Sequence, residues 1–351
     1  MPDLVVVGGG PVGLSAALYA VRSGLSVTVL EPRTGPVDKA CGEGLMPGAV
    51  TALAALGVEP PGWELQGIRY TSGSRSAVAD FPAGPGRGVR RTTLHQALLD
   101  AVHASGVEVV AAAVTGLAQD PDGVQVTTSE PSGLAGPTLR GSYVLAADGL
   151  HSPVRRRLGL DRQAAASRRF GLRRHFATTP WSRHVEVHWG ATGEAYVTPV
   201  GEDLVGVAVL SAARVSYDEH LAGFPALQER LREASPATPV RGAGPLRQRA
   251  ARRTAGRVLL VGDASGYVDA LTGEGISLGL AQARAAVDAV ARDRPHAYEA
   301  AWRSATWRYA ALTHALLLAT RPAWGRRAVV PAASAAPFVF RAAVAELGRT
   351  R

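Results

Sequence analysis

The stretch LVVVGGGPVGLSAALYAVRSGLSVTVLEPR, residues 4–33, decides the fold. Its first four residues, Leu4, Val5, Val6 and Val7, read as a short buried strand. Gly8-Gly9-Gly10-Pro11-Val12-Gly13 follows as a G-x-G-x-x-G turn that opens a helix-period segment over 14–23. A second β-branched run, 26–30, ends in Glu31, with Arg33 just beyond. Each glycine has a mechanical job. Gly8 permits the tight turn, Gly10 lets the backbone approach a pyrophosphate, and Gly13 lets helix and strand pack closely. The helix N-terminus presents free N–H groups and a partial positive charge to phosphates. An acid at the end of the second strand can grip both ribose hydroxyls. Strand, turn, helix and acid in this order define a dinucleotide site. An acidic Glu31 suits ADP-ribose without a 2′-phosphate, so FAD or NAD fits better than NADP.

Around this stretch lies a chain of 351 residues, 46% hydrophobic and 19% charged, enough for two packed domains or one large one. The net charge of +9 comes almost wholly from arginine, since Lys39 is the single lysine. A solvated arginine surface explains it, and no helix-turn-helix, zinc-finger or RNA-recognition signature points to nucleic acid. The uncharged run between Asp3 and Arg22 is broken by Gly8 to Pro11 and lacks a preceding basic region. It therefore reads as neither signal peptide nor membrane span. One cysteine, Cys41, excludes an internal disulfide framework and suits a reducing cytoplasm.

Further along, Lys39, Cys41 and Met46 cluster in the loop DKACGEGLMP, in a chain otherwise poor in these types. Gly42 and Gly44 would let this loop approach a cofactor. A helix is predicted to 56, two short strands within 67–88, and a helix over 94–105 whose R-x-x-L start places Arg91 near a phosphate or flavin edge. Strands follow at 107–112, in a hairpin over 114–129, and at 143–146, running into ADGLHSPVR. From 170 the chain alternates through FGLRRHFA, HVEVHWG, EAYVTPVG and LVGVAVL, which predicts an antiparallel sheet. One helix over 217–234, a buried strand over 258–261, a helix over 277–292 and a helical C-terminus complete the pattern.

Three motifs in this order are the turn at 8–13, ADGLHSPVRR at 147–156 and VLLVGDASGYVDALTGEGI at 258–276. They resemble the FAD-dependent family of aromatic hydroxylases (the p-hydroxybenzoate hydroxylase fold) and geranylgeranyl reductases. The resemblance implies an α/β fold: a Rossmann-like FAD-binding domain of the glutathione-reductase type, an inserted antiparallel substrate sheet, and C-terminal helices. It divides the chain into a discontinuous FAD-binding domain (1–66, 89–165, 255–292), a substrate domain (67–88, 166–254) and a helical segment (293–351). It also carries Asp148, Gly149 and nearby Arg155 to the flavin pyrophosphate and nicotinamide entry. Asp263 falls to the ribityl or pyrophosphate, Gly262 to clearance beside it, and Gly273, Gly275 and Ile276 to the flavin edge. There a helix start would favour the anionic reduced flavin. Gly8, Gly10, Pro11, Val12, Gly13, Glu31, Arg33, Cys41, Gly42 and Arg91 complete the expected cofactor set.

CGEGL and TGEGI resemble the reductase branch, whereas Ala270 and Tyr196-Val197-Thr198-Pro199 depart from its pattern. The whole pattern resembles hydroxylases that accompany polyketide and phenolic-lipid synthesis. The implied activity is NAD(P)H- and O2-dependent hydroxylation of a phenolic or polyketide-derived aromatic, alkyl chains included, through a flavin C4a-hydroperoxide. The alternative is saturation of prenyl double bonds, and a flavin-free prenyl- or protein-binding relative is a third reading that the intact motifs oppose. His175, Asp269 and Glu274 are the candidate bases for a phenol. Phe176, Trp181 and Trp189 are expected to roof a dry pocket. Cys41 is expected near the flavin but unreactive. His184, Glu186 and His188 share one strand face and are read as a solvent-facing stripe rather than metal ligands. The arginine-flanked apolar C-terminal stretches read as core packing, and could also line an alkyl tunnel or rest on a membrane.

Overall fold

Residues 1–162 and 169–349 are described by the structure, a computed structural model. The strand Leu4–Val7 lies inside a six-stranded sheet. It runs parallel to Val27–Leu30 on one side and to Tyr143–Ala146 on the other, with Leu4 opposite Val27 and Tyr143. Val258–Leu260 and Glu108–Val110 extend the sheet in parallel, and Thr254–Ala255 closes one edge antiparallel. Parallel strands are covered on both faces and so read as unbroken apolar runs. LVVV, VTVL, YVLA and VLL are accordingly buried throughout.

Helices Pro11–Arg22, Arg91–Ala104 and Gly275–Ala291 cover one face through Leu14, Leu98 and Leu280. The hairpin Ala113–Asp120 and Gly123–Ser129 covers the other, placing Val124 and Val126 against Val5 and Val7. The first helix begins at Pro11, ahead of the predicted 14, because proline's fixed φ and missing N–H suit a first helical turn. A Cβ on Gly13 would sit 1.9 Å from the Gly8 carbonyl oxygen, so any side chain there would lever helix from strand.

The alternating segments form the second sheet as predicted: Phe170–Ala177, His184–Trp189, Gly193–Gly201 and Leu204–Ser211. Gly67–Ser72 joins it parallel to His184–Trp189, and Arg75–Asp80 pairs antiparallel outside that. The register sets Arg173, Ala208, Tyr196, Val187 and Tyr70 in one row across a single face. His175, Gly206 and Thr198 form the next row.

On the opposite face Phe176, Val197, Val205, Val207 and Val209 pack under helices Tyr217–Ala222 and Pro225–Leu231. The single helix predicted over 217–234 is thus broken. Pro225 has no N–H, and its ring pushes Phe224 out of helical geometry, to φ −128 and ψ 71.

The same covering overturns two expectations. Glu186 and His188 are only 5% and 9% exposed, so the polar stripe does not face solvent. Buried polar groups need partners. The Trp181 indole donates to Glu186 at 3.1 Å, Arg69 stands 3.8 Å from it, and His188 lies 3.3 Å away. No group that could hold a metal occurs among the described residues. Nor do Phe176 and Trp181 roof the pocket face. They pack with the helices behind the sheet, while Trp189 stacks edge-on against Tyr70 at 5.5 Å.

A small sheet of Gly44–Leu45, Trp63–Leu65 and Gly86–Gly88, too short to show in the sequence, pins the loop carrying Cys41. The C-terminus is helical over Tyr298–Thr320, Ala323–Ala335 and Pro337–Leu347. These helices pack Leu312, Leu316, Val330, Phe340 and Val344 onto the apolar part of the second sheet. No single described helix is long and apolar enough to cross a membrane. The last two pass only as a pair bent by 102°. The predicted boundary at 165/166 lies outside the described residues, as do the final two of the segment 293–351.

Candidate active site

A cavity runs between the two sheets. Its floor is built from the ends of the parallel strands: Gly8, Gly10 to Val12, Glu31 and Arg33, Ala147 to Leu150, and Val261 to Asp263. The loop from Lys39 to Gly44, Arg91, Tyr267, Ala270 to Gly273, Gly275 and Ile276 close its sides. The second sheet forms the roof with Ile68, Tyr70, Leu172, Arg173, Val185, Val187, Tyr196, Thr198, Ala208 and Leu210. Every residue expected to hold the cofactor lines this cavity except Gly13 and Arg155.

Those two sit behind the wall. Gly13 sets the helix–strand distance, and Arg155, 1% exposed, ties loops together. Its guanidinium donates to Asp161, to the carbonyls of Leu150 and Ala264, and to Gln248, all within 2.7–3.0 Å.

The floor suits an extended dianionic nucleotide. Helices Pro11–Arg22 and Gly275–Ala291 both start at the cavity without a side-chain cap, leaving first-turn N–H groups for a ligand. Asp148 Oδ1 and Arg91 Nε are buried and have no hydrogen-bond partner among the described residues, although both belong to lining residues. Glu31 accepts from the Gly9 N–H at 2.9 Å and from Arg33 Nε at 2.7 Å. Burial works to raise its carboxyl, but Arg33 and Gly9 outweigh it and hold the group ionised below its usual range. Asp263 goes the other way: burial raises it, against the pull of Lys39, Arg91 and Arg155. Lys39 is lowered by its own burial and partly held up by Asp263. Burial also raises the Cys41 thiol, which keeps it protonated and unreactive.

The roof was the less legible half. Glu43, at φ +59 in the left-handed region, is fastened by the Arg91 N–H at 2.8 Å and by His175 at 2.6 Å. Thr198 donates to the Gly42 carbonyl at 2.8 Å, locking loop to sheet. Arg173 is 1% exposed; its Nη2 donates to Asp38 and to the Lys39 carbonyl at 3.2 Å, while its Nε has no partner among the described residues.

None of the three candidate bases lines the cavity. His175 is fully buried one row behind Arg173, Asp269 pairs with Arg169 at 3.3 Å, and Glu274 is buried at the start of Gly275–Ala291. Arg173 and Glu43 went unremarked in the sequence. The two-residue period in FGLRRHFA places Arg173 on the same face as Gly171, and that was the available signal.

Comparison with known proteins agrees with this geometry. The family described as FAD binding domain matches residues 2–294, and the chain belongs to that family. Menaquinone reductase of Mycobacterium tuberculosis is 29% identical over 314 residues, 82% of this chain and 76% of its own length. Digeranylgeranylglycerophospholipid reductase 1 of Methanothermobacter thermautotrophicus is 30% identical over 79% of this chain and 74% of that protein. Rifampicin monooxygenase of Streptomyces venezuelae is 33% identical over 46% of this chain and 34% of its own. Among solved structures, a triple mutant of the flavin-dependent brominase Bmp2 superposes with a TM-score of 0.84 at 17% identity, covering 100% of this chain and 96% of that one. The chain is thus an FAD-binding oxidoreductase, of a family in which NAD(P)H is the general reductant.

Proposed function

We propose that this flavoprotein hydroxylates an amphipathic aromatic, a phenol or resorcinol carrying an alkyl chain. The observation behind this reading is the row Arg173, Ala208, Tyr196, Val187 and Tyr70, a roof cationic at one end and apolar over the rest. Arg173 keeps one buried donor for a phenolic oxygen, and arginine stays charged at any physiological pH. Ala208 removes bulk from the strand Leu204–Ser211, leaving room for a ring beneath it. The alkyl chain would run along Ile68, Val185, Leu246 and Leu347.

Bound FAD, reduced by NAD(P)H, supplies the activation of O2. The chain's own groups bind and shield. In this reading the N–H groups of the first helical turn and Arg91 take the pyrophosphate, Glu31 the adenosine ribose, and Asp263 the flavin-side chain. The start of Gly275–Ala291 then supports the flavin ring. The discontinuous FAD domain, inserted sheet domain and helical segment follow from the same reading, and a single unpaired cysteine, Cys41, suits a reducing cytoplasm.

The test is oxygen uptake with NAD(P)H and 5-pentadecylresorcinol, with a product one oxygen atom heavier. Turnover of a prenyl lipid without O2, and none of the resorcinol, would reject hydroxylation. Saturation of prenyl double bonds is the second reading. It is favoured by the two reductases that align with about four-fifths of the chain.

Either substrate carries a lipid tail, and we place its source at a membrane surface. Trp307, Leu318, Trp324, Phe338 and Val339 are exposed on the C-terminal helices. Between Glu299 and Glu346 that region carries Arg303, Arg308, Arg321, Arg326, Arg327 and Arg341 and no carboxylate. Apolar tips among cations suit anionic lipid headgroups. The protein is expected to sediment with phosphatidylglycerol vesicles and not with phosphatidylcholine alone. Trp324→Ser with Phe338→Ser should weaken that binding about tenfold. Equal binding by the double variant would sink the assignment.

A further inference from the structure

Hydroxylation and double-bond saturation share one demand. RH + O2 + NAD(P)H + H⁺ gives ROH + NAD(P)⁺ + H2O, and saturation of C=C by NAD(P)H likewise takes one proton from solvent. The cavity roof is mostly aliphatic, so that proton needs a route through protein. We propose that Thr238, His175 and Glu43 form this route, carrying a proton from the edge of the second sheet to the cavity wall. The proposal rests on the chain being an NAD(P)H-consuming flavoprotein, whichever substrate it takes.

The geometry is continuous. Glu43 belongs to the cavity lining, and its Oε2 is 2.6 Å from His175 Nε2. His175 is fully buried, and its Nδ1 is 3.0 Å from Thr238 Oγ1. Thr238 is partly exposed, between the short strands Ser235–Pro236 and Arg241–Ala243 that pair with the edge of Phe170–Ala177. Gly206 makes room for the chain: a Cβ there would lie 3.0 Å from Glu43 Oε2 and 3.6 Å from His175 Cδ2.

Arg173 fixes the direction. Its Nη1 is 3.1 Å from His175 Nδ1, and a guanidinium has only N–H groups to offer. Nδ1 is therefore the acceptor, and the ring proton sits on Nε2, donated to Glu43. Delivery then proceeds by transfer along the chain. Water protonates Thr238 Oγ1 as its own hydrogen moves to Nδ1. The Nε2 hydrogen moves to Glu43, and the Glu43 acid protonates the reacting atom. The ring is left with hydrogen on Nδ1, facing Arg173, which cannot accept it. Rotation about Cβ–Cγ turns Nδ1–H from Arg173 toward the Glu43 side. The next proton leaves from Nδ1 as Nε2 takes one from the Thr238 side, and a second rotation returns the starting Nε2–H arrangement. One solvent proton is consumed per cycle and no other species is needed.

Thr238→Val removes the hydroxyl at nearly constant volume, Thr238→Ser keeps it, and Thr238→Ala makes the same cut should valine disturb the sheet edge. Anaerobic reduction of the bound flavin by NAD(P)H should be unchanged in all. Mixing the reduced holoenzyme with O2 returns oxidised flavin and hydrogen peroxide at the cost of one proton. That step should slow about tenfold in the valine and alanine variants and recover with serine. Nitrogen-15 NMR of histidine in the flavin-free protein supplies a readout independent of turnover. His175 should carry its proton on Nε2, exchanging with solvent about tenfold faster in the wild type than in Thr238→Val. Wild-type reoxidation and exchange in Thr238→Val, or an Nδ1–H resting tautomer, would overturn the route. A colourless wild-type protein would instead overturn the flavin reading, leaving the NMR comparison to judge the route alone.

Discussion

Asp263→Ala protein is expected to purify almost colourless, with FAD affinity lowered about 100-fold, the upper part of the range for a hydrogen bond to a charged group. Asp263 follows the strand Val258–Leu260 in the short turn Gly262–Ser265 and lies on the cavity floor between Lys39 and Arg91. Its carboxyl is raised in the folded protein by burial. A carboxyl whose folded value exceeds its unfolded one favours folding at low pH, and that contribution is lost as pH rises through the folded value. At neutral pH the raised carboxyl is therefore a cost to the flavin-free fold, retained for what it binds. The variant's flavin-free form should melt at or above the wild-type temperature while its ratio of flavin to protein absorbance collapses. Full flavin retention would remove Asp263 from the site. A lowered melting temperature would show a folding defect instead.

That floor was legible because its signals are local. A strand, a glycine turn, a helix start and an acid occur within thirty residues, and each is dictated by its own neighbours. Alternation likewise located the four strands from Phe170 to Ser211. It did not say which face meets the cavity. Both faces of the second sheet are covered, so Glu186 and His188 looked solvent-facing although they are buried with Trp181 and Arg69. Asp269 and Glu274 drew attention by lying inside a flavin motif. Their neighbours Ala270 to Gly273, Gly275 and Ile276 reach the cavity instead. Arg173 and Glu43 meet across more than a hundred residues of sequence, through a loop whose small sheet has no local signature. Proximity in sequence found the cofactor, but the substrate side depends on pairing between distant strands.

Glu194→Gln is expected to remove most of a stability loss between pH 5 and pH 8. Arg169 sits between two buried carboxylates, hydrogen-bonded to Glu194 and 3.3 Å from Asp269. Burial pushes Glu194 up to about 7 despite Arg169, and raises Asp269 as well. Arg169 is itself held more firmly protonated by both acids, which taken alone would make the pair stabilising. Charge stoichiometry decides between the two signs. Arg169 alone pairs directly with both acids, and Arg326 and Arg247 add only weaker attraction, so one carboxylate is costly when ionised. Glu194's contribution is full below its unfolded value, near the ordinary carboxylate range, and is lost as pH rises through about 7. The loss should amount to roughly 2 kcal/mol, read from urea midpoints at pH 5, 6, 7 and 8. Glutamine keeps an acceptor for Arg169 and cannot titrate, so its curve should be nearly flat. A wild-type slope in that variant would assign the titration to another group. The effect should reach the cofactor too. Leu271 donates its N–H to Asp269 at 3.1 Å and accepts the Tyr196 hydroxyl at 2.7 Å, just ahead of the helix start at Gly275. Ionising the second carboxylate loads the loop that presents those N–H groups, so FAD affinity should fall over the same pH interval and hold steady in Glu194→Gln.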